Sequence, residues 1–152
     1  MFAPQMKELN PLLKPSQFTK EDQVYFKEFL DFYKLIKAEI YDIREIVTEK
    51  ARSLLTRKAI KSRDAIDLLF IYNKFKIKPQ DLLKETKEKL LFAITAYEKY
   101  KDNLILTREK LQTLDFQYNE VRPLVITYFK KEDFDAYVKE LKPLLIELSG
   151  NI

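Results

Sequence analysis

The spacing of apolar residues between Thr19 and Ala59 predicts helical structure. Apolar side chains recur there at steps of three or four, with one step of seven, at Phe26, Phe29, Tyr33, Ile36, Ile40, Ile43, Val47 and Leu54. Such a spacing keeps apolar side chains on one face of a helix. Thr19 followed by Asp22 resembles the capping box that begins many helices. We therefore predict one amphipathic helix, or two nearly collinear helices, from Thr19 to about Ala59.

Aromatic residues crowd the start of this predicted helix. The segment 25–33 contains Tyr25, Phe26, Phe29, Phe32 and Tyr33. This density exceeds what a single buried stripe requires, and two interpretations stay open: two helical faces buried in a bundle, or a face that binds a partner. The candidate partner interface consists of Phe26, Phe29, Phe32 and Tyr33.

A second helix is predicted from the segment that follows. Ser62 is a natural N-cap, and the helix should run over residues 63–74. Its centre, residues 68–72, is apolar on nearly every side. A helix without a polar face is buried all round, so we expect it to be central in the fold.

Proline and turn residues predict where the next two helices begin and end. Pro79 suits the first turn of a third helix, which should continue to about Lys101. Residues 102–103, Asp-Asn, favour a turn. Thr107 is expected to cap a short fourth helix that ends near Phe116.

The last part of the chain combines an ambiguous segment with a helix. Residues 121–129 are β-branched and aromatic, which favours a strand, but without an obvious second strand we favour a helix or an extended linker. A final helix should begin near Glu132, kink or restart at Pro143, and end at Gly150.

These elements predict an all-α fold, a single helical-bundle domain of about five to seven helices over residues 19–152. Three prolines occur within residues 1–18 and exclude a continuous helix there, so we expect a flexible N-terminal arm. No run of 18 apolar residues is present, and the N-terminus lacks the features of a signal peptide. We therefore expect a cytoplasmic protein that does not bind membranes.

The composition narrows the possible chemistry. The chain has no cysteine, no histidine and a single glycine, Gly150. This excludes thiolate metal sites, the Ser-His-Asp type of triad and a glycine-rich phosphate loop. The acid pairs Asp64/Asp67 and Glu132/Asp133 have the spacing of ordinary surface residues. We therefore expect no catalytic residues, no metal site and no cofactor, and hence a protein that is not an enzyme.

Positive charge is concentrated in one segment. Residues 50–78 contain nine basic and two acidic side chains, a net charge of +7, whereas the whole chain carries +4. Such a cluster favours an anion site, and phosphate is the commonest anion that it would bind. The alternative is a solvated helix face. Free backbone N–H groups at the start of the second helix would reinforce the site, whose candidate residues are Arg57, Lys58, Lys61 and Arg63. Tyr72 could stack on a base, although an aromatic residue in an apolar run is more often part of the core.

Four segments of this region, 42–51, 61–65, 65–72 and 77–82, resemble the C-terminal domain of the large subunit of archaeal and eukaryotic primase in their order and apolar spacing. The cysteines that hold an iron–sulfur cluster in that domain are absent here. As a helical chain of this size without cysteine, the protein is similar to the noncatalytic X subunit of crenarchaeal primase (PriX).

The resemblance implies a noncatalytic accessory subunit of a replication primase. Its partners would be the catalytic small subunit, the large subunit, a nucleoside triphosphate and a DNA or RNA primer–template. Lys58, Lys61 and Arg63 fall at the positions that contact the 5′ triphosphate in the primase domain. Two alternatives stay open: a helical scaffold of a replication complex, resembling GINS, or a small RNA-backbone-binding subunit of a CRISPR effector.

Overall fold

The structure, a computed structural model, describes residues 1–9, 17–33, 36–113, 116, 118 and 130–150, with the backbone alone at 31–33. It is mostly helical. The described residues form six α-helices and one small two-stranded sheet. The predicted all-α fold with five to seven helices is therefore confirmed.

The helices and strands follow one another in the order β1 (Gln5–Leu9), α1 (Lys20–Tyr25), a 3-10 helix (Lys27–Tyr33), β2 (Ile36–Ile40), α2 (Ile43–Thr56), α3 (Ser62–Phe75), a 3-10 helix (Pro79–Leu82), α4 (Leu83–Ala96), α5 (Glu98–Leu111) and α6 (Lys131–Gly150). The chain divides into two compact units, residues 2–42 and residues 43–152, and Met1 groups with the second. The predicted boundary between an arm and a single domain near residue 19 stays a prediction.

The N-terminal unit, residues 2–42, begins its first helix with the predicted cap. Thr19 Oγ1 accepts a hydrogen bond from the Asp22 backbone N–H at 3.1 Å, and Asp22 Oδ2 accepts one from the Thr19 backbone N–H at 3.0 Å. Two donors that the first turn leaves unpaired are thereby satisfied. The capping box is confirmed, but α1 is only six residues long.

The prediction of one helix, or two nearly collinear helices, from Thr19 to about Ala59 is wrong, because strand β2 lies between α1 and α2. β2 pairs antiparallel with β1, with Lys7 opposite Ala38 and Glu8 opposite Lys37. Its sequence, IKAEI, alternates apolar and charged residues, which is the period of a strand. The step of four from Ile36 to Ile40 fits both a helix and a strand, so the apolar spacing alone did not separate them.

The helical unit, residues 43–150 as far as it is described, has α2 at its centre. α2 packs against α3, α4, α5 and α6. The buried apolar residues of α2 recur at helical spacing, and the other helices contribute leucines and a phenylalanine to the same core. Its fully or almost fully buried members are Val47, Ala51, Leu54, Leu55, Leu68, Leu90, Leu111, Phe134, Leu141, Leu145 and Leu148. Burial of this apolar surface is the main favourable contribution to the stability of the unit.

The predicted second helix is confirmed as α3, and Pro79 begins the next helical segment as predicted. Ser62 is the first residue of α3 and not its N-cap, which is Lys61. α3 ends at Phe75, and its C-cap residue, Lys76, has a left-handed φ of 58° and an N–H that bonds the Tyr72 carbonyl at 2.8 Å. Glycine is the residue usually found in this conformation, so a lysine here is strained by roughly 1 kcal/mol.

The predicted turn at residues 102–103 and the predicted short helix from Thr107 are both wrong. The third helix was predicted to continue to about Lys101, but α4 ends at Ala96, and a separate helix, α5, runs from Glu98 through Thr107 to Leu111. Asn103 lies inside α5, where its side-chain amide donates to the Thr56 carbonyl at 2.9 Å. This buried asparagine therefore satisfies a carbonyl at the end of α2 instead of forming a turn.

The predicted final helix is confirmed as α6, which continues through Pro143 without restarting. Buried leucines on both sides of Pro143 hold the helix against the core: Leu141, Leu144 and Leu145. The prediction for residues 121–129 lies outside the described residues. Within the described part of the chain, no helix is long and apolar enough to cross a membrane.

Candidate functional site

Four charged residues form a cluster of ion pairs between α2 and α3. Lys50 Nζ donates to Asp64 Oδ1 at 3.0 Å and to Asp67 Oδ2 at 2.6 Å. Arg57 Nη1 donates to the other oxygen of Asp64, Oδ2, at 2.5 Å. We call Lys50, Arg57, Asp64 and Asp67 the Lys50 cluster. Its two cations share one carboxylate, which fixes their positions relative to each other.

Burial differs sharply within the Lys50 cluster. The Asp64 side chain is 0% exposed, whereas the side chains of Lys50, Asp67 and Arg57 are 26%, 38% and 41% exposed. Asp64 therefore lies at the buried bottom of the site, and the side chains of Lys50, Arg57 and Asp67 reach the protein surface. A buried carboxylate with two cationic donors is satisfied, while the cations stay accessible to a ligand.

Local sequence spacing builds the two faces of the site. Lys50 and Ser53 lie at i and i+3 on one side of α2, and Arg57, the first residue after α2, follows at i+7 with its backbone N–H bonded to the Ser53 carbonyl at 3.2 Å. Asp64 and Asp67 lie at i and i+3 on α3. Ser53 Oγ lies between the helices, 3.5 Å from Asp64 Oδ2, and bonds the Lys50 carbonyl at 2.9 Å. Because α2 and α3 pack side by side, their charged stripes meet.

The two carboxylates keep Lys50 protonated. Burial by itself would lower the pKa of the Lys50 ammonium, but its hydrogen bonds to Asp67 and Asp64 outweigh burial and raise the pKa above its ordinary value of 10.5. Lys50 is therefore a permanent cation at physiological pH. Among the described residues, no group of three or more acidic side chains is arranged to hold a metal ion. Lys50 and Arg57 are cationic donors, the kind of group that binds phosphate oxygens.

The four basic residues predicted to bind phosphate occupy different places. Arg57 belongs to the Lys50 cluster. Lys58 lines a cavity of about 240 Å³ together with Lys110 and Leu106. Lys61 is the exposed N-cap residue of α3, and Arg63 is exposed in its first turn. The phosphate-binding role of all four stays a prediction.

The start of α3 differs from the expected open phosphate pocket. The Asp64 backbone N–H bonds the Lys61 carbonyl at 2.9 Å, and the Asp64 carboxylate lies in the first turn, where a negative charge is favourable. The interpretation of Asp64 as a surface residue is wrong, since it is fully buried. Lys50, Asp64 and Asp67 were missed as site residues. The signal that could have found them is the pair of complementary charged stripes, one on each helix.

Tyr72 lies against other side chains of the helical unit. Its ring stacks on Tyr137 at a centroid distance of 6.1 Å, and Lys78 Nζ lies 4.6 Å from the ring centre. This is a cation–π contact, and it covers part of the ring. A base-stacking role for Tyr72 stays a prediction.

The aromatic residues proposed as a partner interface belong to the N-terminal unit. Phe26 and Phe29 are exposed. The side chains of Phe32 and Tyr33 lie outside the described residues, although their backbone belongs to the 3-10 helix Lys27–Tyr33. That these residues form an interface stays a prediction.

Comparison with known proteins gives a family match. A family model described as nucleotidyl transferase AbiEii toxin, type IV toxin–antitoxin system, matches residues 10–147. No curated protein matches the chain, and no solved structure matches it. The matched range covers most of the chain and contains the whole Lys50 cluster.

This match overturns the interpretation of the sequence as a primase subunit. The matched family consists of nucleotidyltransferase toxins, so the primase resemblance, the accessory replication role and the expected primase partners are wrong. The expectation that the protein is not an enzyme is wrong for the same reason. Neither the scaffold nor the CRISPR alternative is supported. The resemblance rested on apolar spacing, which any pair of packed helices produces.

Proposed function

The chain belongs to the family of AbiEii nucleotidyl transferase toxins, and from this premise we propose that it acts in nucleotidyl transfer, with the Lys50 cluster as the site that holds the phosphates of the nucleotide. One observation carries the proposal: Lys50 Nζ bridges Asp64 and Asp67 while Asp64 also holds Arg57. The two cations are thereby fixed at the surface by a buried anchor.

Nucleotidyl transfer makes a specific demand on such a site. An acceptor oxygen attacks the α-phosphorus of a nucleoside triphosphate, the bond from this phosphorus to the leaving oxygen breaks, and pyrophosphate departs. The acceptor loses a proton to a base. Negative charge is carried by phosphate oxygens throughout, so donors that are already in position lower the barrier most.

Lys50 and Arg57 meet this demand. An ammonium has three N–H donors and a guanidinium has five, so the bonds to Asp64 and Asp67 leave donors for phosphate oxygens. The guanidinium fork suits two oxygens of one phosphate, and the ammonium acts as a point charge. Asp64 is a positioning residue here, because it is buried and acts through the two cations.

Asp67 is the group suited to the proton of the acceptor. Its carboxylate is partly exposed and lies beside Lys50. A carboxylate offers about four acceptor positions, and Lys50 occupies one of them. An acceptor hydroxyl bound at Asp67 would therefore sit close to the phosphate that Lys50 holds.

The test compares Lys50→Met with a matched variant, Lys89→Met. Lys89 pairs with Glu45 and Glu49 between α4 and α2, and the side chains of Lys89 and Glu45 are mostly buried, so each variant removes one cation that pairs with two carboxylates of another helix. Each purified protein is incubated with the four α-labelled nucleoside triphosphates and with cellular RNA or protein as acceptor. We expect Lys50→Met to lose label transfer about 100-fold and Lys89→Met to keep it.

Further measurements separate the roles within the cluster. Asp67→Asn should lower kcat more than it raises KM, because the base acts in the transition state. Induced expression in bacteria should arrest growth with the parent chain and with Lys89→Met, but not with Lys50→Met. Equal transfer by all variants would overturn the assignment of the site, and transfer to no acceptor by the parent chain would overturn the function.

The family description also bears on how a cell tolerates this activity. It places the family in a type IV toxin–antitoxin system. An antitoxin encoded in the same cell is therefore the counterpart that we propose for this chain, in place of a replication complex. Co-expression of such an antitoxin should restore growth in the expression experiment.

A further inference from the structure

The two-stranded sheet of the N-terminal unit is open on both faces. All five residues of β1 are exposed, and in β2 Ala38 and Ile40 alone are partly covered. Among the described residues the sheet contains β1 and β2 and no other strand. Met6, Leu9 and Ile36 are large apolar side chains that remain exposed on it.

An isolated ribbon of this kind is marginally stable in water. Three or more strands, or a covering helix, are usually needed for independent stability. Each edge strand also presents unpaired N–H and C=O groups that accept a further strand. The sequence along the edge decides which strand fits.

The sequence of β2 is complementary to itself in the antiparallel direction. When two copies of IKAEI pair about Ala38, Lys37 of each copy faces Glu39 of the other, and Ile36 of each faces Ile40 of the other. Opposite charges and apolar pairs directly across a sheet are both favourable. A register centred on Lys37 or on Glu39 would instead bring like charges together, so one register is selected.

The other edge of the sheet lacks this property. In β1, QMKEL, an antiparallel pair centred on Lys7 places two lysines opposite each other and Met6 opposite Glu8. Such a pair is destabilised by like charges. β2 is therefore the edge that suits a second copy of the chain.

We propose that β2 pairs with β2 of a second copy of this chain, which gives a four-stranded antiparallel sheet in the order β1-β2-β2-β1. On one face, Glu8 already pairs with Lys37 at 3.5 Å, and the second copy's Glu39 extends this pair into a ladder of alternating charge. On the other face, Leu9, Ile36 and the second copy's Ile40 form an apolar row. This dimer goes beyond the proposed enzymatic function and does not depend on it.

The test reverses the charge at each of the two positions in turn. Glu39→Lys places a lysine opposite Lys37 twice in the dimer, while its neighbour within the sheet, Met6, is uncharged. Lys37→Glu is made together with Glu8→Lys, which keeps an opposite-charge pair within the sheet, and it places two glutamates opposite each other twice in the dimer. Each variant alone should weaken the dimer about tenfold or more. An equimolar mixture of the two variants restores both opposite-charge pairs, so the mixture should again form a dimer.

The measurement is molar mass by light scattering and by sedimentation over a range of concentrations. Glu28→Lys, which makes the same charge change in the same unit outside the strands, is the control and should dimerise like the parent chain. Hydrogen exchange at low and high protein concentration should show that alternate amides of residues 36–40 become protected when the dimer forms.

Three results would overturn the proposal. One is a parent chain that stays monomeric at its highest soluble concentration, as it would if a strand from the same chain covered β2. Another is a dimer that Glu39→Lys leaves intact. The third is a mixture of the two variants that stays monomeric. Circular dichroism of each variant shows that the chain is folded, and mass is read without reference to nucleotidyl transfer.

Discussion

The two units of this chain differ in how far their apolar side chains are buried. In the helical unit, residues 43–150, α2 is surrounded by four other helices, and Phe134 is 0% exposed. In the N-terminal unit, residues 2–42, Asp42 is the one buried side chain among those described, and Phe26 is 52% exposed. The helical unit therefore supplies its own core, and the N-terminal unit has apolar surface that is available for association.

The largest effect should come from removing the centre of this core. Phe134→Ala should lower the free energy of unfolding by about 3–5 kcal/mol, because it deletes a fully buried ring and leaves a cavity. Phe26→Ala should change it by less than about 0.5 kcal/mol, since the ring is largely solvated. Denaturant unfolding followed by circular dichroism measures both values. Similar losses for the two variants would contradict the contrast between the units.

A smaller effect should distinguish the ion pairs of the two units. Lys50→Met leaves the buried Asp64 with one cation fewer and should cost about 1–3 kcal/mol of unfolding free energy. Lys37→Met breaks the exposed pair with Glu8 and should cost less than about 0.5 kcal/mol. Equal costs for the two variants would show that burial of Asp64 does not matter to the stability of the cluster.

The stability that Lys50 contributes has a defined pH dependence. The pKa of Lys50 is raised in the folded state, so Lys50 contributes fully to the free energy of unfolding below its ordinary pKa of 10.5. This contribution is lost as the pH rises through the folded-state pKa. The stability difference between the parent chain and Lys50→Met should therefore be constant from neutral pH to about 10 and shrink above it. A difference that shrinks on acidification from neutral pH to pH 6 would contradict this origin.

The smallest effect concerns a buried hydroxyl in the helical unit. Tyr137 Oη is buried and has no hydrogen-bond partner among the described residues, and burial raises the pKa of Tyr137. Tyr137→Phe should leave the melting temperature unchanged or raise it slightly, because it removes an unsatisfied polar atom from the core. Tyr97→Phe, at an exposed ring, is the control. If Tyr137→Phe lowered the free energy of unfolding by more than about 1 kcal/mol, the Tyr137 hydroxyl would be hydrogen-bonded in the folded protein, contrary to this expectation.

Much of the helical unit could be predicted because its signals are local. Apolar period, Ser62 and Pro79 together locate α3 and the start of the next segment to within one residue. β2 could not be predicted, since its apolar step fits two periods and its partner strand lies about thirty residues earlier in the chain. The role of Asn103 was equally hidden, because the carbonyl that it bonds is 47 residues away.

The candidate site was located in part. The basic segment pointed to the region between α2 and α3, and Arg57 does belong to the cluster there. Lys50, Asp64 and Asp67 were missed because their significance lies in one helix facing another, and a list of charges along the chain does not show that arrangement. Asp64 illustrates the difficulty, since an acidic residue is rarely fully buried unless cations from elsewhere in the chain surround it.

The central position of α2 also has a consequence for synthesis on the ribosome. α2 contains Val47, and α6, which packs against α2, contributes Leu148 to the same core. At about 5–20 residues per second, translation separates these two residues by roughly 5–20 s. During this interval the apolar side of α2 lacks one of its covering helices. We therefore expect the nascent chain to expose part of the apolar side of α2 until α6 is made, and slow translation between α5 and α6 would prolong this exposure.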